Sequence, residues 1–100
     1  MRRDWLRLMK DGKLICALCG LPIYSNPTKD HWIPRAHGGE SVDTNIKPAH
    51  KVCNNIKDDL MPEEWNREKL ARYEYALAHF KLKYKQRRIV RQAIQKIRGQ

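Results

Sequence analysis

The sequence predicts a small α+β protein, and three observations support this fold class. Residues 29–33 and 45–47 have the composition of short strands, and a loop at 35–44 that is rich in turn residues separates them. A helix of about residues 49–57 follows the second strand, with Pro48 at its expected entry. Helical patterns occupy both ends of the chain. The predicted order of the central part is therefore strand, loop, strand, helix.

An N-terminal helix of about residues 2–11 is predicted from Trp5, Leu8 and Met9, which lie at helical spacing. Asp11-Gly12 is expected to end this helix, because glycine readily takes the left-handed conformation that closes a helix. We expect the helix to pack over the core.

A helical tail of about residues 62–98 is also predicted. Pro62 is expected to begin it, since proline suits the first turn of a helix. Its apolar residues form two stripes, Tyr73 to Tyr84 and Val90 to Ile97, which are out of phase near residues 85–88. This pattern leaves open a break into two helices or one helix with two packing partners. The first stripe is expected to belong to the core rather than to a platform for stacking nucleotides.

Charge and composition limit the classes of function. The chain has 100 residues, 21 Lys and Arg against 11 Asp and Glu, and a formal charge of +10, which favours a polyanionic partner. No apolar run approaches the ~20 residues that span a bilayer, and the N-terminus lacks the pattern of a secretory signal. We therefore expect one cytoplasmic domain over residues 1–100, with its core at about 14–58 and no membrane partner.

Four residues have the spacing of a structural zinc site. Cys16, Cys19, His50 and Cys53 form a C-x-x-C followed by an H-x-x-C, and two such knuckles supply the four ligands of a tetrahedral zinc ion. His50 and Cys53, three positions apart, face the same side of a helix. The odd number of three cysteines argues against a disulfide framework. A closed four-ligand site leaves no position for a substrate, so we expect this ion to hold the fold. The alternative is ordinary buried thiols with a surface histidine.

A second group of residues suits metal-assisted hydrolysis of a phosphodiester. Asn54 lies about 100° around its helix from Cys53, from where it can face the strand that carries Asp30 and His31. Carboxylate and amide oxygens suit magnesium or manganese, and an adjacent imidazole can act as a general base. The alternative is a strand-end acid in an ion pair and a helix-surface amide.

Together these motifs resemble the HNH nuclease family, whose fold is the ββα-metal or His-Me finger motif. The residues that carry the resemblance follow the family pattern D-H-x-x-P, G-G, N-L and C/H-x-x-C-N…K in order: Asp30, His31, Pro34, Gly38, Gly39, Asn45, Ile46, His50, Cys53, Asn54 and Lys57. With Cys16-x-x-Cys19 before them, they are similar to the zinc-containing branch common in phage and bacterial genes. Ile46 replaces the usual leucine and is still apolar. His50 replaces the usual cysteine and is still a potential zinc ligand.

The resemblance implies a role for each of five residues. His31 would be the general base that takes a proton from the attacking water, and Asn45 would brace the loop between the strands and so orient His31. Asp30 and Asn54 would bind one catalytic divalent ion, Mg²⁺ or Mn²⁺. Lys57 would contact phosphate. The products would be 5′-phosphate and 3′-hydroxyl ends.

Basic residues crowd the C-terminal part of the chain, where no acid occurs between positions 75 and 100. Charge of one sign favours contact with a DNA backbone over a merely solvated face. Besides Lys57, the residues expected to bind DNA are Lys81, Lys83, Lys85, Arg87, Arg88 and Arg91.

The predicted function is a metal-dependent DNA endonuclease that nicks one strand or cuts both. The main alternative is a non-catalytic zinc-knuckle module that binds nucleic acid. An RNA-directed nuclease, or a component of a phage packaging complex acting in the host cytoplasm, is a weaker hypothesis. Cutting both strands would need a homodimer, for which the Val90 to Ile97 stripe is a candidate interface.

Overall fold

Four short strands and three α-helices form the fold in this computed structural model, which describes residues 2–100. The strands make two separate two-stranded antiparallel sheets. One core of buried side chains joins the N-terminal segment to the last helix, and its large members include Trp5, Ile46, Trp65, Tyr73 and Val90. This mixed architecture confirms the predicted α+β class.

The N-terminal segment differs from the predicted helix. A 3-10 helix, Arg3–Leu8, is followed by a hairpin of β1 (Met9–Lys10) and β2 (Lys13–Leu14). Asp11 and Gly12, with φ of 53° and 76°, form its two-residue turn. Asp-Gly suits a hairpin turn in which both central residues need positive φ. The prediction that this dipeptide ends a helix was therefore wrong.

The central ββα unit carries the candidate site residues. β3 (Thr28–His31) pairs antiparallel with β4 (Ile46–Ala49), so that His31 lies opposite Ile46. α1 (Lys51–Lys57) follows directly, with His50 as its N-cap residue. The predicted order of strand, loop, strand and helix agrees with this arrangement.

Pro48 lies inside β4 and not at the entry of α1, which corrects the predicted boundary between the two elements. β4 has a sheet partner on one side only, and proline is tolerated in such an edge strand because no ladder hydrogen bond needs its missing N–H. The Pro48 carbonyl accepts a hydrogen bond of 2.9 Å from the Ala17 amide. β4 is thereby tied to the C-x-x-C turn.

The loop between β3 and β4 folds back closely on the end of β3. It contains a 3-10 turn, Arg35–His37, and Gly38 ends this turn with φ of +87°. At Gly39 an added Cβ would lie only 1.7 Å from the carbonyl oxygen of Ile33. The backbone can approach this closely only because residue 39 has no side chain.

The helical tail consists of α2 (Pro62–His79) and α3 (Tyr84–Arg98), joined by residues 80–83. Of the two alternatives that the apolar stripes left open, the break into two helices is the one observed. The Glu64 carboxylate accepts a hydrogen bond of 3.0 Å from the Met61 amide at the start of α2. Across residues 2–100, no helix has the length and apolar character needed to cross a membrane.

The apolar stripe of α3 packs inside the protein. Val90, Ala93 and Ile94 are buried, as are Tyr73 and Ala76 on the adjacent α2. This packing uses the stripe within one chain, so Val90, Ala93 and Ile94 are not free to form the candidate interface of a homodimer.

The stripe of α2 does not continue past the end of that helix. Phe80 and Tyr84 are 41 % and 79 % exposed, so the prediction that they belong to a core stripe was wrong. Helical spacing places side chains on one face only while the helix lasts, and α2 ends at His79.

Two buried tryptophans connect the outer elements to the central unit. The indole N–H of Trp5 donates to the Ile46 carbonyl at 3.1 Å, and that of Trp65 donates to the Leu18 carbonyl at 3.3 Å. Each bond satisfies the one polar group of a large apolar ring. The N-terminal segment is thus attached to β4, and α2 is attached to the C-x-x-C turn.

The two adjacent loop glycines should respond differently to alanine. Gly38→Ala meets open space and should cost only about 1–2 kcal/mol for its left-handed backbone. Gly39→Ala overlaps the Ile33 carbonyl and should cost about 3 kcal/mol or more, because the loop must move. Urea unfolding of both variants measures the difference, and equal losses would contradict the close packing.

Candidate metal centre and active site

A buried cluster of three cysteines and one histidine lies between the C-x-x-C turn and the start of α1. The ligand atoms of Cys16, Cys19, His50 and Cys53 all lie within 4.8 Å of one another. His50 Nδ1 is 3.4 Å from Cys19 Sγ and 3.7 Å from Cys53 Sγ. Such spacing suits four ligands around one tetrahedral ion, with Zn–S distances of about 2.3 Å. The predicted set of zinc ligands is therefore brought together.

Local hydrogen bonds shape each half of the cluster. In the C-x-x-C turn, the Gly20 amide donates to the Cys16 carbonyl at 2.9 Å, and Gly20 has φ of +77°. In the other half, His50 Nε2 lies 2.9 Å from the Pro22 carbonyl. A ring nitrogen that donates to a carbonyl leaves the other nitrogen free to bind a metal. His50 Nδ1 is the nitrogen that faces the sulfurs.

The thiols of the cluster influence one another strongly. Hydrogen bonds from Cys19 and Cys53 hold the pKa of Cys16 well below its usual range. The bond to Cys16 raises the pKa of Cys19 to about 12, and the same interaction, with burial, raises the pKa of Cys53. Metal binding requires deprotonated thiols, so a cation bound among these sulfurs would favour their thiolate forms. This donor set can hold a zinc ion.

A buried ion pair lies beneath the second candidate site. Asp30 and Lys57 are 2 % and 0 % exposed, and Lys57 Nζ is 3.4 Å from Asp30 Oδ1. Lys57 Nζ also donates to the His31 carbonyl at 3.1 Å. With its ammonium group enclosed in this way, Lys57 cannot reach a phosphate at the surface. The predicted DNA contact of Lys57 was therefore wrong, and its side chain instead neutralises Asp30.

The carboxylate of Asp30 has one oxygen available for a further ligand. Its Oδ2 is buried and has no hydrogen-bond partner among residues 2–100. Burial raises the pKa of Asp30 above its usual value, while the neighbouring Lys57 acts in the opposite direction. A buried anionic oxygen without a partner is costly. The chemistry of this atom suits a bound cation.

Asn54 lies against the strand that carries Asp30 and His31. Its Nδ2 is 3.4 Å from Thr28 Oγ1 and 3.3 Å from the Lys29 carbonyl. These contacts point the amide group of Asn54 toward β3, as its position one step after Cys53 on α1 predicts. Its role as a metal ligand stays a prediction.

Asn45 connects the two ends of the loop between β3 and β4. Its Oδ1 accepts from the Ile33 amide at 2.8 Å, and its Nδ2 donates to the carbonyls of Ile33 and Glu40, each at 3.0 Å. A side chain held by three backbone groups is fixed in position and fixes them in turn. Asn45 thus braces the loop directly beside His31.

His31 is half-buried at the end of β3, and its Nε2 lies 2.9 Å from Ser41 Oγ. Ser41 was missed at the sequence level, because a loop serine gives no signal of its partner. The burial of Lys57, by contrast, had a signal: Lys57 is four residues after Cys53, so both face the same side of α1. A residue that shares a face with a zinc ligand points inward.

A ββα unit beside a closed Cys₃His centre defines a small metal-binding α+β domain. Residues 16–60 match the family model of the HNH endonucleases, the same family that the motifs resemble. No curated protein and no solved structure shows significant similarity to the chain. The HNH domain supports a nuclease-type function in general and implies a nucleic-acid substrate.

Loss of the Cys₃His centre should unfold the protein. Cys16→Ser, or strong chelation, removes a structural ion whose binding contributes on the order of 10 kcal/mol of apparent folding energy in small domains. Ala17→Ser is the matched control, because Ala17 lies on the exposed side of the same turn. Circular dichroism and bound zinc measure the outcome. A Cys16→Ser variant that stayed folded and metal-free would contradict the structural role.

Removal of the Lys57 charge should destabilise the fold without weakening DNA binding. Lys57→Met keeps the length of the side chain but leaves Asp30 buried and unpaired, which should cost about 3–5 kcal/mol. Lys51→Met, on the exposed face of the same helix, should cost less than about 0.5 kcal/mol. Denaturant unfolding compares the two variants. Equal stability would mean that Lys57 is not the counter-ion of Asp30.

Proposed function

We propose that this protein is a metal-dependent endonuclease that hydrolyses phosphodiester bonds in DNA. The observation that carries the proposal is the buried Asp30 carboxylate, which keeps one oxygen without a partner and comes immediately before the candidate base, His31, in β3. A pure binding module has no need for such an oxygen next to an imidazole. The match of residues 16–60 to the HNH endonucleases supports the same chemistry.

Asp30 and Asn54 would hold the catalytic divalent ion. The free Oδ2 of Asp30 and the amide of Asn54 on the adjacent helix offer the hard oxygen ligands that magnesium and manganese prefer. When bound, such an ion supplies positive charge to the scissile phosphate and to the leaving 3′ oxygen. Lys57 keeps the Asp30 carboxylate in place by neutralising its other oxygen.

His31 would take the proton from the attacking water. In a neutral imidazole one nitrogen donates and the other accepts. If Nε2 donates to Ser41 Oγ at 2.9 Å, then Nδ1 carries the lone pair that accepts the proton. Asn45 fixes the loop that contains Ser41 and so keeps this orientation. Ser41 and Asn45 are positioning residues for the base in this mechanism.

The Cys₃His centre would hold a structural zinc ion and take no part in the reaction. All four of its ligand positions come from the protein, so no position is left for water or substrate. Its effect on the reaction would be indirect, since Cys53 and Asn54 are neighbours on α1. A fixed Cys53 fixes the side of the helix from which Asn54 faces β3.

The partner would be DNA, bound mainly through its phosphates and therefore sensitive to salt. Apart from Lys57, the predicted DNA-binding residues lie on the linker and α3 and are at least partly accessible. Arg87 is half-buried, and the others are exposed: Lys81, Lys83, Lys85, Arg88 and Arg91. No acidic residue occurs in positions 75–100, so the linker and α3 contribute only positive charges to this surface.

A plasmid-cleavage assay with zinc-loaded protein tests the proposal. Cleavage should require added Mg²⁺ or Mn²⁺, and His31→Ala should lower the rate about 100- to 10,000-fold, because a general base contributes that much to the barrier. His37→Ala is the matched control, since His37 is an exposed histidine of the neighbouring loop with no assigned role. DNA affinity should change little in either variant.

Three outcomes of this assay distinguish the alternatives. Unchanged cleavage by His31→Ala would remove His31 from the mechanism. Binding of DNA with no cleavage under any divalent ion would favour the non-catalytic binding module. A parallel assay on RNA would identify an RNA-directed nuclease.

A further inference from the structure

Three exposed rings cluster at the end of α2, in the part of the chain that follows the HNH match. Tyr75 and Phe80 are 59 % and 41 % exposed, and His79 is exposed beside them. The ring centroids of Tyr75 and His79 are 4.3 Å apart, and those of Tyr75 and Phe80 are 6.2 Å apart at an angle of 90°. We call the cluster of Tyr75, His79 and Phe80 the aromatic elbow.

Packing of the core does not account for these rings. Tyr75 comes two residues after the buried Tyr73, which places it about 200° around α2 and toward solvent. His79 is four residues after Tyr75 and stacks on the same outer face. Leu82, and not Phe80, packs against the core from the linker between α2 and α3. Large exposed apolar groups that cluster in this way mark interaction sites.

The charges around the elbow indicate the chemistry of its partner. Lys81, Lys83 and Lys85 follow Phe80 directly, and all three are exposed. The acid nearest in sequence, Glu74, is paired with Arg98 of α3. An apolar protein partner would have to bury three ammonium groups, whereas a polyanion would neutralise them. Rings for stacking beside cations for phosphates are the combination that binds single-stranded nucleic acid.

We propose that the aromatic elbow binds unpaired bases of a single-stranded nucleic acid whose phosphates lie along the three lysines. The faces of bases inside a duplex are covered by their neighbours, so the elbow selects unpaired segments over intact duplex. The rings already contact one another, which limits the side-chain entropy lost on binding. The inference rests on the proposed nucleic-acid partner, but it requires no cleavage.

Binding of three oligonucleotides of equal length tests the elbow, with zinc-loaded protein and no added Mg²⁺ or Mn²⁺. They are single-stranded oligothymidylate, an abasic strand with the same phosphates, and a duplex. The wild type should bind oligothymidylate about 5- to 150-fold more tightly than the abasic strand for each stacked base. Fluorescence anisotropy measures the three affinities.

Variants of the elbow distinguish the contribution of base stacking to the affinity from the contribution of charge. The double variant Tyr75→Leu with Phe80→Leu keeps apolar side chains but removes two of the three rings, so it should lose most of the preference for bases and keep its duplex affinity. Tyr75→Phe should keep the preference. Tyr24→Leu is the control, because Tyr24 is an exposed tyrosine that lies outside the elbow. Like the elbow it is close to a cation, since Lys13 Nζ lies 5.4 Å from the centroid of its ring.

The lysines should contribute equally to the binding of both single strands, because they contact phosphates and not bases. Lys81→Gln with Lys83→Gln should reduce the salt dependence of binding to both single strands, by about 0.7 in slope for each lost phosphate contact. Equal affinity of the wild type for oligothymidylate and the abasic strand would overturn the inference, as would a double leucine variant identical to the wild type or an equal loss in Tyr24→Leu.

These binding data, together with the plasmid-cleavage assay, distinguish this inference from the proposed function. Duplex binding without any preference for bases, with plasmid cleavage when Mg²⁺ is added, would overturn the elbow alone. Failure of the wild type to bind any of the three oligonucleotides would overturn both proposals.

Discussion

The convergence of Cys16, Cys19, His50 and Cys53 is the constraint on which the rest of the structure depends. Two ligands come from a turn and two from the first residues of α1, so one small cluster sets the distance between distant parts of the chain. The Trp65 indole bonds to Leu18 inside that turn, and the Ala17 amide bonds to β4. Sheet and tail are therefore both positioned from the same point.

α1 shows how one short helix serves two different sites. Cys53 faces the sulfur cluster, Asn54 faces β3, and Lys57 reaches inward to Asp30. The helical angle between successive residues places Cys53 and Lys57 on one side of α1 and Asn54 about 100° away from Cys53. A rotation of α1 would move all of them together, so the geometry of the candidate active site depends on the cluster that fixes the helix.

Much of the central unit could be predicted because its signals are local. The ligand spacing, the order of strand, loop, strand and helix, and the position of Asn54 follow from periodicity and from residue types close in sequence. Asp11-Gly12 was misinterpreted because the same dipeptide can end a helix or turn a hairpin, and the choice depends on whether β1 finds a partner in β2.

Contacts between distant residues could not be predicted in the same way. The partner of His31, Ser41, lies in a loop whose path depends on the close approach of Gly39 to Ile33. The exposure of Phe80 depends on where α2 ends, which the apolar pattern places only approximately. The burial of Lys57 is different, because its spacing from Cys53 indicates it, although the predicted phosphate contact did not take this spacing into account.

The acid-free surface of α3 has a consequence for the stability of the isolated protein. Its cations have few carboxylates to face, and within residues 2–100 one ion pair, Glu74 with Arg98, joins the two tail helices. Like charges held at close range oppose the compact state. A polyanion that binds only the folded form would relieve this repulsion and raise the melting temperature by mass action. A nucleic-acid substrate would thus also stabilise the folded state as a counter-ion.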